Sequence, residues 1–133
     1  MSVIQSSAFL RRVLFADAIS CAGLGLLLLA LSDALANLFN LPSQLLIQAA
    51  LVLLPFAAFI VYVASRANVS RFAVGAVIVV NVIWVIESFV LLGLESIDAN
   101  VLGQAFVIAQ ALFVAAISAL EYVGLKRSPA AAV

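Results

Sequence analysis

Four long apolar stretches divide this chain, and all six of its Lys and Arg residues lie at the same ends of them. Arg11 and Arg12 precede the first stretch, Arg66 and Arg71 fall between the second and third, and Lys126 and Arg127 follow the fourth. The other two connections, Asp33 to Pro42 and Glu95 to Asn100, carry no basic residue. Cytoplasmic loops of membrane proteins retain Lys and Arg, so this pattern predicts four membrane crossings with both termini in the cytoplasm. A sequence that is 68% hydrophobic and 9% charged is far from the roughly 25% charge of a soluble domain. The expected fold is therefore all-α, an integral membrane four-helix bundle with short loops.

The spans are predicted at about residues 13–32, 43–64, 72–94 and 99–125, each near or above the roughly 20 helical residues needed to cross hydrocarbon. Residues 1–127 make one domain, and 128–133 read as a short disordered tail. Asp33 to Leu41 is apolar but turn-prone, and suits a short helix in the outer interface. Pro55 falls inside the second span, where it removes a backbone hydrogen bond. Alanines at four-residue spacing, such as Ala111, Ala115 and Ala119, mark faces on which helices can approach closely. Leu46-Ile47-Gln48-Ala49 echoes Leu102-Gly103-Gln104-Ala105, a faint sign of internal duplication.

Several chemistries are excluded by residue type. Histidine is absent, which removes His-based zinc and copper sites, bis-histidine haem and the Ser-His-Asp arrangement. The single cysteine, Cys21, rules out an internal disulfide or a Cys-x-x-Cys pair. No acidic or basic tail points to nucleic acid, and no cofactor is expected. Without these groups the chain is not expected to be an enzyme.

What remains is a set of polar residues inside the spans, and an acid within a membrane is a functional hypothesis by default. Asp17 lies five residues inside Arg12, and Glu121 five residues before Lys126, so each sits about 8 Å from the basic flank. With Arg12 and Arg66 in that layer, the simplest expectation is a set of structural ion pairs at the inner interface, with a proton or cation site as the alternative. Glu87 lies about 24 Å along the third span from Arg71 and about 12 Å short of Glu95. No basic residue is expected at its depth. Gln48 and Gln104 sit at a similar depth in their own spans, so Gln48, Glu87, Ser88 and Gln104 form a candidate polar layer. Asn81 and Gln110, nearer mid-span, are expected to hydrogen-bond across helices, and Asn81 and Trp84, one turn apart, to line a shared cavity. Ligand or proton binding is assigned to Glu87, Gln48, Gln104, Asn81 and Trp84.

Arg11-Arg12-x-Leu14-x-x-Asp17, Leu41-Pro42, Asn81-x-x-Trp84 and Glu121-Tyr122-x-x-Leu125 together resemble a group of uncharacterised small four-span bacterial inner-membrane proteins. That resemblance implies a bacterial inner membrane and a four-helix fold, and brings no activity with it. The expected function is a small integral membrane binding or interaction protein of unknown ligand. Its expected partners are the bilayer, a second copy of itself, or another membrane protein. The alternative is a proton-coupled small-molecule transporter or channel-like oligomer that uses Glu87.

Overall fold

The computed structural model describes residues 3–130. In chain order the elements are β1 (Val3–Gln5), α1 (Ala8–Ala30), α2 (Ser32–Phe39), α3 (Ser43–Ser65), β2 (Asn68–Ser70), α4 (Arg71–Leu92) and α5 (Val101–Arg127). The four long helices contain 22 to 27 residues, with mean hydropathy between 2.0 and 2.4. At about 1.5 Å per residue each exceeds the thickness of a hydrocarbon core. The chain is a multi-pass membrane protein built as a helical bundle.

In α1 and α3 the interior seam repeats at three- and four-residue steps, the spacing that keeps facing helices in contact. In α3 the seam is Leu46, Ala50, Leu53, Ala57, Ile60 and Ala64, all buried. In α1 it runs Leu10, Leu14, Asp17, Cys21, Gly25 and Leu28. These two helices pack along most of their length, and α4 packs on α5. Small residues set the closest approaches. A side chain at Gly25 would meet Leu54 Cδ2 at 2.9 Å, and one at Gly124 would meet the Leu10 backbone at 3.1 Å. The second contact brings α1 against α5 at the basic end. By contrast α3 and α4 barely touch. Ala18 and Ala111 are buried at helix contacts, whereas Ala119 and Leu26 face outward.

The basic end is tied by a small antiparallel β-patch. Val3, Ile4 and Gln5 pair with Ser70, Val69 and Asn68, and Ile4 also bridges to Ala130. Gln5 N–H donates to the Pro129 carbonyl at 2.9 Å, and Ser7 N–H donates to Ser128 Oγ at 3.2 Å. Ile4 is fully buried beneath this patch. The expectation of a disordered tail is thus corrected for residues 128–130. Their backbone groups find partners in β1, an opportunity that composition alone does not register. Residues 131–133 of that tail lie outside the described residues.

At the opposite end α2 forms the predicted short helix and stops at Asn40, whose φ of 55° is left-handed, a conformation asparagine tolerates better than most residues. Asn40 Nδ2 donates to the Asp98 carbonyl at 2.6 Å. Asn100 accepts from Gly103 N–H at 2.8 Å, capping α5, and donates to the Leu38 carbonyl at 2.8 Å. Phe39 stacks on Phe106 with ring centroids 4.7 Å apart. Gly103 is required here, because a Cβ would lie 2.5 Å from the Phe39 carbonyl oxygen. Pro55 is accommodated without breaking α3, and both Pro55 and Leu51 face outward.

Gly103→Ala must push α2 away from α5, so it is expected to destabilise the bundle by about 1–3 kcal/mol. Gly23→Ala, where a Cβ meets nothing within 4 Å, is expected to be neutral or stabilising. Thermal unfolding in detergent, followed by circular dichroism at helical wavelengths, separates the two.

Candidate functional site

Three helices each place one polar residue on the interior seam at a common level. Asp17 of α1 is 2% exposed, Asn81 of α4 2% and Glu121 of α5 0%. The Asn81 amide nitrogen donates to Asp17 Oδ2 at 2.7 Å and to Glu121 Oε1 at 2.9 Å. A primary amide has two N–H donors, and here each is used by a different carboxyl group. Cys21, one turn along from Asp17, donates its thiol weakly to Asp17 Oδ1 at 3.5 Å. Glu121 Oε2 is buried and finds no N–H or hydroxyl donor among the described residues. The close approach at Gly124, less than one turn from Glu121, is what lets the α5 acid reach the α1 acid.

Among the described residues, no ion pair joins Asp17 or Glu121 to Arg12 or Arg66, contrary to the expectation from sequence; the two acids meet Asn81 instead. Arg66 lies over the Tyr62 ring, 5.6 Å from its centroid, and Arg12 is exposed. Lys126 and Arg127 lie over Tyr122 and Phe9 in the same manner. Arg11 Nε donates to the Ala64 carbonyl at 3.2 Å. Depth along the helix was the wrong coordinate. Residues five apart are separated by about 140° around a 3.6-residue helix, so Arg12 and Asp17 face different ways, as do Lys126 and Glu121. The acids point inward while the basic stems run outward along the surface.

One turn beyond Asn81 a second polar link joins α4 to α5. Trp84 Nε1 donates to Gln110 Oε1 at 2.8 Å. Gln110 Nε2 donates to Ser88 Oγ at 3.0 Å, and Ser88 Oγ donates to the Trp84 carbonyl at 2.8 Å. The circuit closes on itself and satisfies every member, as polar groups within lipid require. Gln110 thus hydrogen-bonds across helices, in line with the expectation from sequence.

Between the α1–α3 and α4–α5 pairs lies a crevice. Its first part is a cavity of about 350 Å³ with Asp17, Cys21, Asn81, Trp84 and Gln110 among apolar neighbours such as Phe56. A second cavity of about 280 Å³ shares Leu24, Val52, Trp84, Phe106 and Gln110 with the first and extends to Gln48 and Glu87. Val52, Val80, Ala109 and Phe113 line the first cavity and are themselves exposed. The crevice therefore opens sideways, onto the apolar flank of the bundle.

The polar layer expected around Glu87 is partly assembled. Gln48, Glu87 and Ser88 line the second cavity. Gln104 does not join them; its amide donates to the Ala99 carbonyl at 2.9 Å. Glu87 is exposed, five residues from the end of α4. The helix stops at Leu92, so the carboxyl is about 8 Å from the helix end, closer than a span continuing to residue 94 implies.

Removing the shared donor leaves two buried acids facing one another. Asn81→Leu is expected to cost about 1–3 kcal/mol, the penalty for unsatisfied buried polar groups. Asn81→Asp is expected to cost more, because it adds a third acid where a donor stood. Equilibrium unfolding in mixed micelles checks the order.

Compared with protein families, with curated proteins and with solved structures, the chain matches none.

Proposed function

We propose that the chain is a small membrane-embedded binding protein whose ligand is a small, predominantly apolar molecule held in the crevice between the α1–α3 and α4–α5 helix pairs. The carrying observation is the cavity of about 350 Å³. It exceeds the ~150 Å³ that accommodates benzene in a protein interior, and falls within the ~300–1,000 Å³ of small-molecule sites. Its wall combines apolar side chains with a few convergent polar groups, the usual composition of such sites. The lateral opening suits a molecule that arrives dissolved in lipid.

In this reading the basic end faces the cytoplasm of a bacterial inner membrane, as the Lys and Arg distribution favours. The ligand contacts Trp84 and Phe106, and Gln110 supplies orientation. The polar site is the Asp17–Asn81–Glu121 group rather than Glu87, which lies at the rim of the second cavity.

The single tryptophan of the chain sits on the wall and reports occupancy. In nanodiscs, 1-bromohexane is expected to quench Trp84 fluorescence saturably, through the heavy-atom effect. Ala109→Phe fills the exposed mouth of the cavity and is expected to weaken that quenching at least about tenfold, equivalent to 1.4 kcal/mol. Quenching that is linear in probe and identical in Ala109→Phe would mean simple partition into lipid and would remove the proposal. A brominated phospholipid in place of the free probe tests whether an acyl chain is the occupant.

A further inference from the structure

The Asp17–Asn81–Glu121 group has a property that ligand orientation does not require. Asp17 lies on the wall of the crevice, whereas Glu121 stands behind it, fully buried. Asn81 connects the two through one nitrogen. Glu121 Oε2 finds no N–H or hydroxyl donor among the described residues, although an oxygen in such a place ordinarily finds one. Two carboxyl groups converging on one amide, away from water, need a positive charge between them. Four of the basic side chains are engaged elsewhere: Arg66, Lys126 and Arg127 lie over aromatic rings, and Arg11 binds the Ala64 carbonyl.

The smallest charge that fits is a proton. We infer that Asp17, Asn81 and Glu121 form a proton-binding site linked to the crevice, so that an uncharged apolar ligand is held by the proton-loaded form and released as the proton leaves. The inference rests on the crevice being a ligand site and adds its control. In the loaded form the two acids share one proton and carry a single negative charge; its loss breaks the one carboxyl O–H bond, leaves carboxylates on both Asp17 and Glu121, and passes H⁺ to water. The second carboxylate draws water to the crevice wall and opposes an apolar occupant. By reciprocity the occupant favours the proton.

Other titratable groups near the site are few. On α1 the Cys21 thiol faces Asp17. α3 presents Val52, Leu53 and Phe56, none of which titrates, and α5 presents Glu121. On α4 the crevice meets Asn81 and Trp84, with Glu87 farther along in the second cavity.

The experiment is the 1-bromohexane titration of Trp84 in nanodiscs, repeated from about pH 5 to about pH 10, a range that spans ordinary and strongly perturbed carboxyl groups. Native protein is expected to lose affinity at least about tenfold toward the alkaline end. Asp17→Asn and Glu121→Gln are each expected to flatten the profile and keep tight binding at alkaline pH. Glu87→Gln is expected to retain the native profile. Gel filtration and helical circular dichroism verify that each variant is folded. Should either acid variant fail to fold, the other carries the comparison. A flat native profile overturns the proton linkage while leaving the crevice a ligand site. So does a profile that survives both acid variants, or one abolished by Glu87→Gln. Absence of saturable quenching at every pH overturns the ligand site itself, and the linkage with it.

Discussion

A polar side chain inside a bilayer has no water to fall back on, so its partner must be another part of the protein. The Asn81 amide meets this condition for two acids at once, and much of the bundle is arranged around that contact. Gly124 draws α1 against α5 so that Glu121 reaches the level of Asp17. The tight α1–α3 seam, closed by Gly25 against Leu54, holds the Asp17 face toward the interior. The Trp84–Gln110–Ser88 circuit, one turn farther on, fixes the rotation of α4 against α5 and with it the aim of Asn81. In lipid the hydrophobic effect gives little drive between helices, so close packing and hydrogen bonds of this kind decide how they associate.

The two helix pairs are joined unevenly. α1 meets α5 near the basic end, and α2 meets α5 at the other, while α3 and α4 stand apart and leave the crevice between them. That is an arrangement with a built-in void in an otherwise well-packed protein. Interiors normally tolerate few empty spaces of this size, and a bundle selected for packing alone would close it with larger side chains. The polar groups gathered on one side of the void give it a direction, from the apolar mouth at Ala109 and Phe113 toward Asp17.

Much of this was legible in the sequence, and the illegible part has a specific cause. Four spans and the short helix before Leu41 follow from hydropathy and turn residues. The common depth of Asp17 and Glu121 follows from counting along their helices. Their partner did not, because depth says nothing about azimuth. The seam register does carry that information. Leu10, Leu14, Asp17 and Cys21 follow one three-four repeat, and Val74, Val77, Asn81, Trp84 and Ser88 follow another. Reading those repeats puts Asp17 and Asn81 inside and Arg12 outside. Gln104 differs for another reason: matching Gln48 in a local echo places it in the same layer, yet its amide is taken by the Ala99 carbonyl just ahead of its own helix. The β-patch was beyond reach, since three-residue strands formed by Val3–Gln5 and Asn68–Ser70 have no periodic signature of their own.

The clasps at the two ends carry a kinetic consequence. β1 binds both the α3–α4 connection and the segment after α5, and Asn40, Asn100 and Gly103 lock the far end. With both ends fastened, the helix pairs cannot swing apart like a hinge, and the way into the crevice runs through the flank. A molecule taking that way is counted by its abundance in the membrane rather than in the surrounding water. Two compounds with equal fit would then fill the crevice in proportion to how well each dissolves in lipid. The bilayer would act as the first sieve, ahead of any contact made by the protein.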